Sequence, residues 1–325
     1  MANETYLVTG AMGCIGSWVL RHLTDQGAHI VATDLQDDPV RARLLLSDAE
    51  IADITWERLD VTDTNAVSSV VENHQISHVV HLAGLQIPFC RANPPLGAAV
   101  NVTGTVNIFE AVRAHDVKGL AYASSLAALG APETYDTWPL PDAVRTDPAT
   151  LYGVYKVANE ETGRIYAADW NVGSIGLRPY TVYGVARDQG VTADPAKAIL
   201  AAAAGVPFHI RFSGQVALQH ASDVARIFIG CANAEATDAH VFNLRGDVIE
   251  IADFVEMLKE VEPGAKITFE NDSPLPYPAD LSDAGLRGLL KHVPHTPVRE
   301  AMQNDIAAYR DLLASGKLDL KQLEG

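Results

Sequence analysis

The chain has 325 residues, 48% of them hydrophobic, enough for one large domain or two modest ones around a substantial core. Its 41 acidic and 24 basic residues give a formal charge of −17, which argues against nucleic acid or an anionic membrane as a partner. No apolar run approaches the roughly 20 residues of a membrane-spanning helix, and the opening MANETYLVTG passes almost at once into a strand pattern, so a cytoplasmic location is expected.

Over the first 180 or so residues, short apolar runs alternate with longer helical patterns, the signature of a parallel sheet covered by helices on both faces. Strands are expected at 5–9, 29–34, 55–59, 78–81, 120–124 and 172–177. Helices with an apolar stripe are expected at 15–26, 96–115 and 151–170. After Arg178 the texture changes to a loop over 179–194, an alanine-rich helix at 195–204, a proline-rich stretch at 273–278 and a closing amphipathic helix near 298–313. The expected fold class is α/β, with a smaller mixed region after residue 178. Cys14, Cys90 and Cys231 have no metal-binding spacing and read as apolar filler, so neither a metal site nor a disulfide framework is expected.

The segment TGAMGCIG (9–16) puts Gly10, Gly13 and Gly16 between a strand and a helix, with Cys14 and Ile15 opening the helix. Glycines there permit a tight turn and close approach to a pyrophosphate at the helix's positive end. Asp34, followed by Leu35, ends the second strand and can accept hydrogen bonds from both ribose hydroxyls of NAD while repelling the 2′-phosphate of NADP. No arginine stands in 35–38, so NAD is favoured. Asp60, followed by Val61, ends the next strand and is placed to meet the adenine amino group.

Tyr152 and Lys156 stand four apart in LYGVYKVANEE (151–161), so one helical turn puts phenol and ammonium on the same face. A neighbouring cation stabilises the phenolate. Lowering a phenol from about 10 by roughly three requires about 4 kcal/mol, which the lysine and a cationic nicotinamide ring together could provide. Tyr155 faces elsewhere on the helix.

With HLAG (81–84), NVTGT (101–105), YASS (122–125), LRP (177–179) and HASDVA (220–225), these segments resemble the extended short-chain dehydrogenase/reductase family, best known for nucleotide-sugar epimerases and dehydratases. The resemblance covers nearly the whole chain. It implies a Rossmann doubly wound parallel sheet over 1–178, together with parts of 215–247, and a substrate region over 179–325. It also implies that Ser125, Tyr152, Lys156 and Asn101 form the catalytic set. Ser125 would hold the reacting oxygen, and Asn101 would stabilise a helix bend and a proton-relay water. Lys156 would also grip the nicotinamide ribose, Leu82, Ala83 and Gly84 would line the cofactor, and Pro179 would lie near its carboxamide. Related enzymes dimerise through a four-helix bundle, here 96–115 and 151–170, so a homodimer is expected.

The chain departs from the family pattern in its substrate positions. Val216, seven before Asp223, stands where the epimerases carry a diphosphate-binding arginine, and Thr181 replaces an asparagine directed at the nucleotide. Leu126 and Ala127 replace the acid pair of the dehydratases, which argues strongly against that elimination, and Leu129 replaces a tyrosine, implying a more apolar rim. Candidate substrate contacts are Gln86, Ser125, Thr181, Arg187, Gln219 and His220. Arg187 is suited to bidentate carboxylate binding, with a pair to Asp188 or a solvent-facing role as alternatives. His220 has a buried structural role as its alternative. The leading expectation is an NAD-dependent dehydrogenase acting on a hydroxyl of a sugar, sugar acid or polyol. A nucleotide-sugar 4-epimerase is second, and a non-catalytic NAD-responsive binder is third.

Overall fold

A computed structural model describes residues 4–323. Its strands are β1 (Thr5–Thr9), β2 (His29–Asp34), β3 (Thr55–Arg58), β4 (His78–His81), β5 (Gly119–Ala123), β6 (Ser174–Arg178), β7 (Thr181–Tyr183), β8 (Phe208–Ile210), β9 (Gln215–His220), β10 (Ala239–Asn243), β11 (Asp247–Glu250) and β12 (Ile267–Phe269). Its α-helices are α1 (Cys14–Asp25), α2 (Asp48–Ala52), α3 (Thr64–Asn73), α4 (Ile87–Ala92), α5 (Pro94–Ala98), α6 (Gly104–Ala114), α7 (Leu151–Trp170), α8 (Asp194–Ala204), α9 (Ala221–Ala232), α10 (Ile251–Val261), α11 (Ala284–Leu289) and α12 (Val298–Ala314).

Short β-branched runs such as TYLVT in β1 and HVVH in β4 are buried because helices cover both faces of the sheet they build. That sheet has seven strands in the order β10-β6-β5-β4-β1-β2-β3, all paired in parallel. The order reverses between β1 and β4, so the loops leaving those two strands open a crevice, the usual ligand position in such sheets. One face packs Val19, Leu20 and Leu23 of α1 against Val224 and Phe228 of α9. The other packs Val67 and Val70 of α3 with Ile108 and Phe109 of α6 and Tyr166 of α7.

The later part of the chain is split between this sheet and a second body. β10 completes the seven-stranded sheet, whereas β9 pairs with β7 and β11 in a separate three-stranded sheet. β8 and β12 form a parallel pair. Ile199 of α8, Phe254 of α10 and Met302 and Tyr309 of α12 share a further core with Val216 and Leu218 of β9.

Most expected boundaries lie within one or two residues of the observed ones, the usual uncertainty at fraying ends. The segment expected as a single helix over 96–115 is different. It begins at Pro94, passes through a π-helical turn at Ala99–Thr103 and continues as α6. The Thr105 hydroxyl donates to the Asn101 carbonyl (2.7 Å) at this wide turn, and such single turns are frequent at functional sites.

Candidate active site

The glycine turn is built by sterics. Gly10 sits at φ +65°, and a Cβ there would lie 2.7 Å from the Ala83 nitrogen and 2.8 Å from the Leu82 carbonyl carbon. A Cβ on Gly16 would lie 2.4 Å from the Gly10 oxygen. Only glycine lets the β1 turn close on α1 while the Leu82–Gly84 backbone lies directly against it. Gly13 caps α1 without a side-chain hydrogen bond, and no acid stands in the first turn where Cys14 and Ile15 begin the helix. A helix N-terminus of this kind suits a phosphate.

Asp34 is fixed beside it. Its Oδ2 accepts from the Met12 N–H (3.0 Å), and Oδ1 accepts from those of Leu35 (2.8 Å) and Gln36 (3.3 Å). The nearby cations are engaged elsewhere. Arg41 pairs with Asp188 (2.9 Å) and donates to the Met12 carbonyl, while Arg43 pairs with Asp38. Asp60 accepts from the N–H (2.9 Å) and hydroxyl (2.8 Å) of Thr62, and Val61 is buried against Gly104. These residues fit a dinucleotide with free ribose hydroxyls.

Tyr152 and Lys156 are held in place by the start of α7. Thr150 caps the helix, its hydroxyl accepting from the Gly153 N–H (3.0 Å). A Cβ on Gly153 would lie 2.1 Å from the Ala127 oxygen, so this glycine lets the helix press against the turn that carries Ser125. The Ser125 Oγ accepts from the Ala127 N–H (3.1 Å), and Leu126 donates to the Pro179 carbonyl (3.1 Å), which brings Pro179 to the same place. The Lys156 Nζ lies 5.5 Å from the Tyr152 ring centroid and donates to the Ala123 carbonyl (2.7 Å).

The electrostatics differ from the simple expectation. Burial pushes the Tyr152 phenol up to about 12, opposed by its Ser125 hydrogen bond and by the charge of Arg187. Burial therefore outweighs the neighbours that favour the phenolate. It also pulls the Lys156 ammonium down to about 8 despite the opposing charge of Glu160.

Asn101 lies in the π-helical turn. Its Nδ2 donates to the carbonyls of Leu85 (3.1 Å) and Gly97 (3.0 Å), while its buried Oδ1 has no partner among the described residues. A Cβ on Gly84 would lie 2.8 Å from that oxygen and 3.6 Å from the Lys156 Nζ, so an unengaged acceptor and the ammonium flank one backbone position.

The candidate substrate contacts divide. Gln86 caps α4, and its Oε1 and the Arg187 Nη2 lie 3.3 and 3.9 Å from the Cβ position of Gly190, so the two side chains converge. Arg187 does not pair with Asp188, whose carboxylate is held by Arg41. Gln219 is not presented to a ligand. Its Oε1 accepts from the Tyr180 N–H (2.9 Å), its amide donates to the Leu244 carbonyl, and its side chain is buried. His220 turns to α12, where Nε2 meets Asp305 (3.2 Å) and the ring edges abut Trp18 and Tyr183. Thr181 is fully buried in β7. Leu129, read as part of an apolar rim, is wholly buried in the core, as is Val216, which pairs with Ile249.

Several neighbours were not singled out from the sequence. Tyr277, in the proline-rich stretch, lies near Tyr152, and its ring packs edge-on against Tyr180. Glu160 lies one turn beyond Lys156 and is bound by Arg178 (2.7 and 2.8 Å) and by the Ser124 hydroxyl. Its i+4 spacing from Lys156 was a usable signal. His81 bridges Thr9 (2.7 Å) and Thr105 (3.2 Å) and is kept neutral, its pKa pulled down to about 3 by burial and by Lys156. Among the described residues no cluster of His, Cys, Asp or Glu could hold a metal ion, and no helix is long and apolar enough to cross a membrane.

Residues 6–245 match the family described as the NAD dependent epimerase/dehydratase family. The chain belongs to that family. One epimerase/dehydratase relative is the UDP-glucose 4-epimerase of Mus musculus, 30% identical over 202 residues that cover 59% of this chain and 57% of that protein. The chain thus spans about half the length of the curated relatives it matches. Solved structures with the same fold include a partial consensus L-threonine 3-dehydrogenase, at 22% identity and a TM-score of 0.82 over 95% of this chain and 100% of that one. The UDP-glucose 4-epimerase of Thermotoga maritima with UDP-glucose is another, at 21% identity and a TM-score of 0.81 over 95% and 100%.

Proposed function

We propose that the protein is an NAD-dependent dehydrogenase that oxidises a carbinol of a sugar, sugar acid or polyol. The observation that carries this reading is the meeting of Ser125, Tyr152 and Lys156 beside the glycine cradle, while the diphosphate position holds a core valine, Val216. Ser125 hydrogen-bonds the substrate oxygen and Tyr152 takes its proton. Lys156, tied to the Ala123 carbonyl, fixes the side of the site that faces the ribose. Bound in the cradle, NAD supplies the hydride acceptor and, on its nicotinamide ring, the positive charge that helps a buried phenol ionise. Asn101, whose Oδ1 is an acceptor left over beside Lys156, would hold the water that carries the proton onward.

The division of labour follows the sheets, with 1–178 and the α9–β10 segment holding the cofactor and the remainder holding the substrate. A cytoplasmic homodimer fits the exposed apolar side chains Phe89, Leu96, Leu151, Val154 and Ile165, which lie on α4, α5 and α7. Covering such surface on a partner's equivalent helices is the ordinary remedy. The relatives' name favours a 4-epimerase as the second reading, in which the ketone turns and hydride returns.

Sustained growth of reduced-cofactor absorbance with a free sugar, sugar acid or polyol is expected. A stoichiometric absorbance change with an inverted product, or failure of every free substrate beside micromolar UDP binding, would replace the dehydrogenase reading. Tyr152→Phe should lower kcat about 10²- to 10⁴-fold and leave NAD affinity within about threefold. Undiminished turnover by that variant would eliminate the acid–base role.

A further inference from the structure

We propose that Arg187 anchors a carboxylate of the substrate, so that the molecule oxidised at Tyr152 is a sugar acid or a related hydroxy acid. The proposal rests on the dehydrogenase reading and narrows it. Arg187 lies in the loop between β7 and α8. Its Nη2 donates to the Thr192 hydroxyl (2.9 Å), but its buried Nε has no partner among the described residues. A buried donor left unsatisfied is destabilising, and more so when the group is charged.

The acids within reach are committed. Asp188 is paired with Arg41 (2.9 Å), and Asp194 accepts from the backbone N–H, Nε and Nη2 of Arg211. No ion pair to Arg187 occurs among the described residues, in a chain whose net charge is −17. An arginine left without a carboxylate amid so many acids is held for an anion from outside. The loop also carries backbone strain next to it, since Ala186 sits at φ +73°. Such outliers gather at binding sites, where the surrounding fold stabilises them.

The Arg187 Nη2 lies 3.9 Å from the Cβ position of Gly190, and its positive charge favours ionisation of both the Tyr152 phenol and the Cys14 thiol, which opens α1. Gln86 Oε1 approaches the same glycine, Gly190, and offers an acceptor to a hydroxyl of a substrate held there. The guanidinium is a planar fork that matches a carboxylate bidentately, which an uncharged sugar cannot reproduce. A nucleotide diphosphate is a poorer fit because Val216 and Thr181, which stand where its polar contacts would be, are fully buried. The cofactor's own pyrophosphate shares the oxyanion chemistry, and the test must separate the two.

The decisive experiment compares glucuronate, galacturonate, gluconate and threonate with glucose, galactose, glucitol and threitol, using wild type and Arg187→Gln with NAD. Wild type is expected to oxidise at least one carboxylate about 100-fold more efficiently than its neutral counterpart. Arg187→Gln should abolish that preference, mainly through KM, with an unchanged thermal midpoint and NAD Kd within threefold. Arg187→Lys should recover part of it. Binding of the same carboxylates to the NADH complex, read by NADH fluorescence, is independent of turnover, and failure of wild type to bind any of them overturns the proposal. An equal loss of NAD affinity in Arg187→Gln assigns the guanidinium to the pyrophosphate and also overturns it. Tyr152-dependent oxidation of neutral sugars alone defeats the carboxylate anchor but leaves the dehydrogenase reading intact. Carboxylate binding without oxidation of any substrate defeats the dehydrogenase reading but not the anchor.

Discussion

The glycine cradle and the substrate side of the cleft are built on opposite principles. In the cradle, backbone packs against backbone so tightly that a single Cβ on Gly10 or Gly16 has no room. On the substrate side, long polar side chains compete for structural and ligand-facing roles. Gln219 and His220 serve the fold, while Gln86 and Arg187 converge on Gly190. A cofactor common to a whole family can be held by close backbone approach, whereas a substrate that differs between members is met by side chains whose task depends on their neighbours.

Gly10→Ala is the severest test of the rigid half. Both its positive φ and its contact with Ala83 oppose a methyl group, so NAD affinity should fall by about 100-fold or more, measured by calorimetry, with a lowered thermal midpoint. Retained affinity would mean that the turn and the Leu82–Gly84 segment can separate without loss. Gln219→Ala probes the other half at a residue the structure assigns to the fold. It leaves the buried Tyr180 N–H and Leu244 carbonyl unpaired and should destabilise by about 2–4 kcal/mol in denaturant titration, while KM stays within about threefold. A KM change without a stability change would return Gln219 to the substrate.

His220→Gln should have the smallest effect, confined to pH dependence. Burial lowers the imidazole's pKa, but the hydrogen bond and charge of Asp305 outweigh it, and the folded value is raised. The stabilisation is therefore fully present below the unfolded value of about 6.5 and is lost as pH rises through the raised folded value. Thermal midpoints of wild type and His220→Gln should differ at pH 6 and converge at higher pH. A difference that is constant across this range would show that the pair does not titrate with folding.

Much of the fold was legible because it depends on local pattern. The alternation of β-branched runs with amphipathic helices marked six strands of the large sheet, and Gly10, Gly13 and Gly16 marked the turn. The seventh strand, β10, was harder to read because nothing within Ala239–Asn243 says that it must cross to β6 rather than join its sequence neighbour β9. The π-helical turn at Asn101 was likewise hidden, since its apolar spacing is that of an ordinary helix. The i,i+4 spacing correctly put Tyr152 and Lys156 on one face, yet could not say that burial would raise the phenol and turn the ammonium to Ala123.

Sequence alone therefore determined the sheet's local elements, the glycine turn and the helical face shared by Tyr152 and Lys156, because each is encoded within a few neighbouring residues. Tertiary structure decided which polar groups remain unengaged. Whether Gln219 or Arg187 has a hydrogen-bonding position left depends on Tyr180, Leu244, Arg41 and Thr192, and only folding brings those partners near enough to take it or leave it.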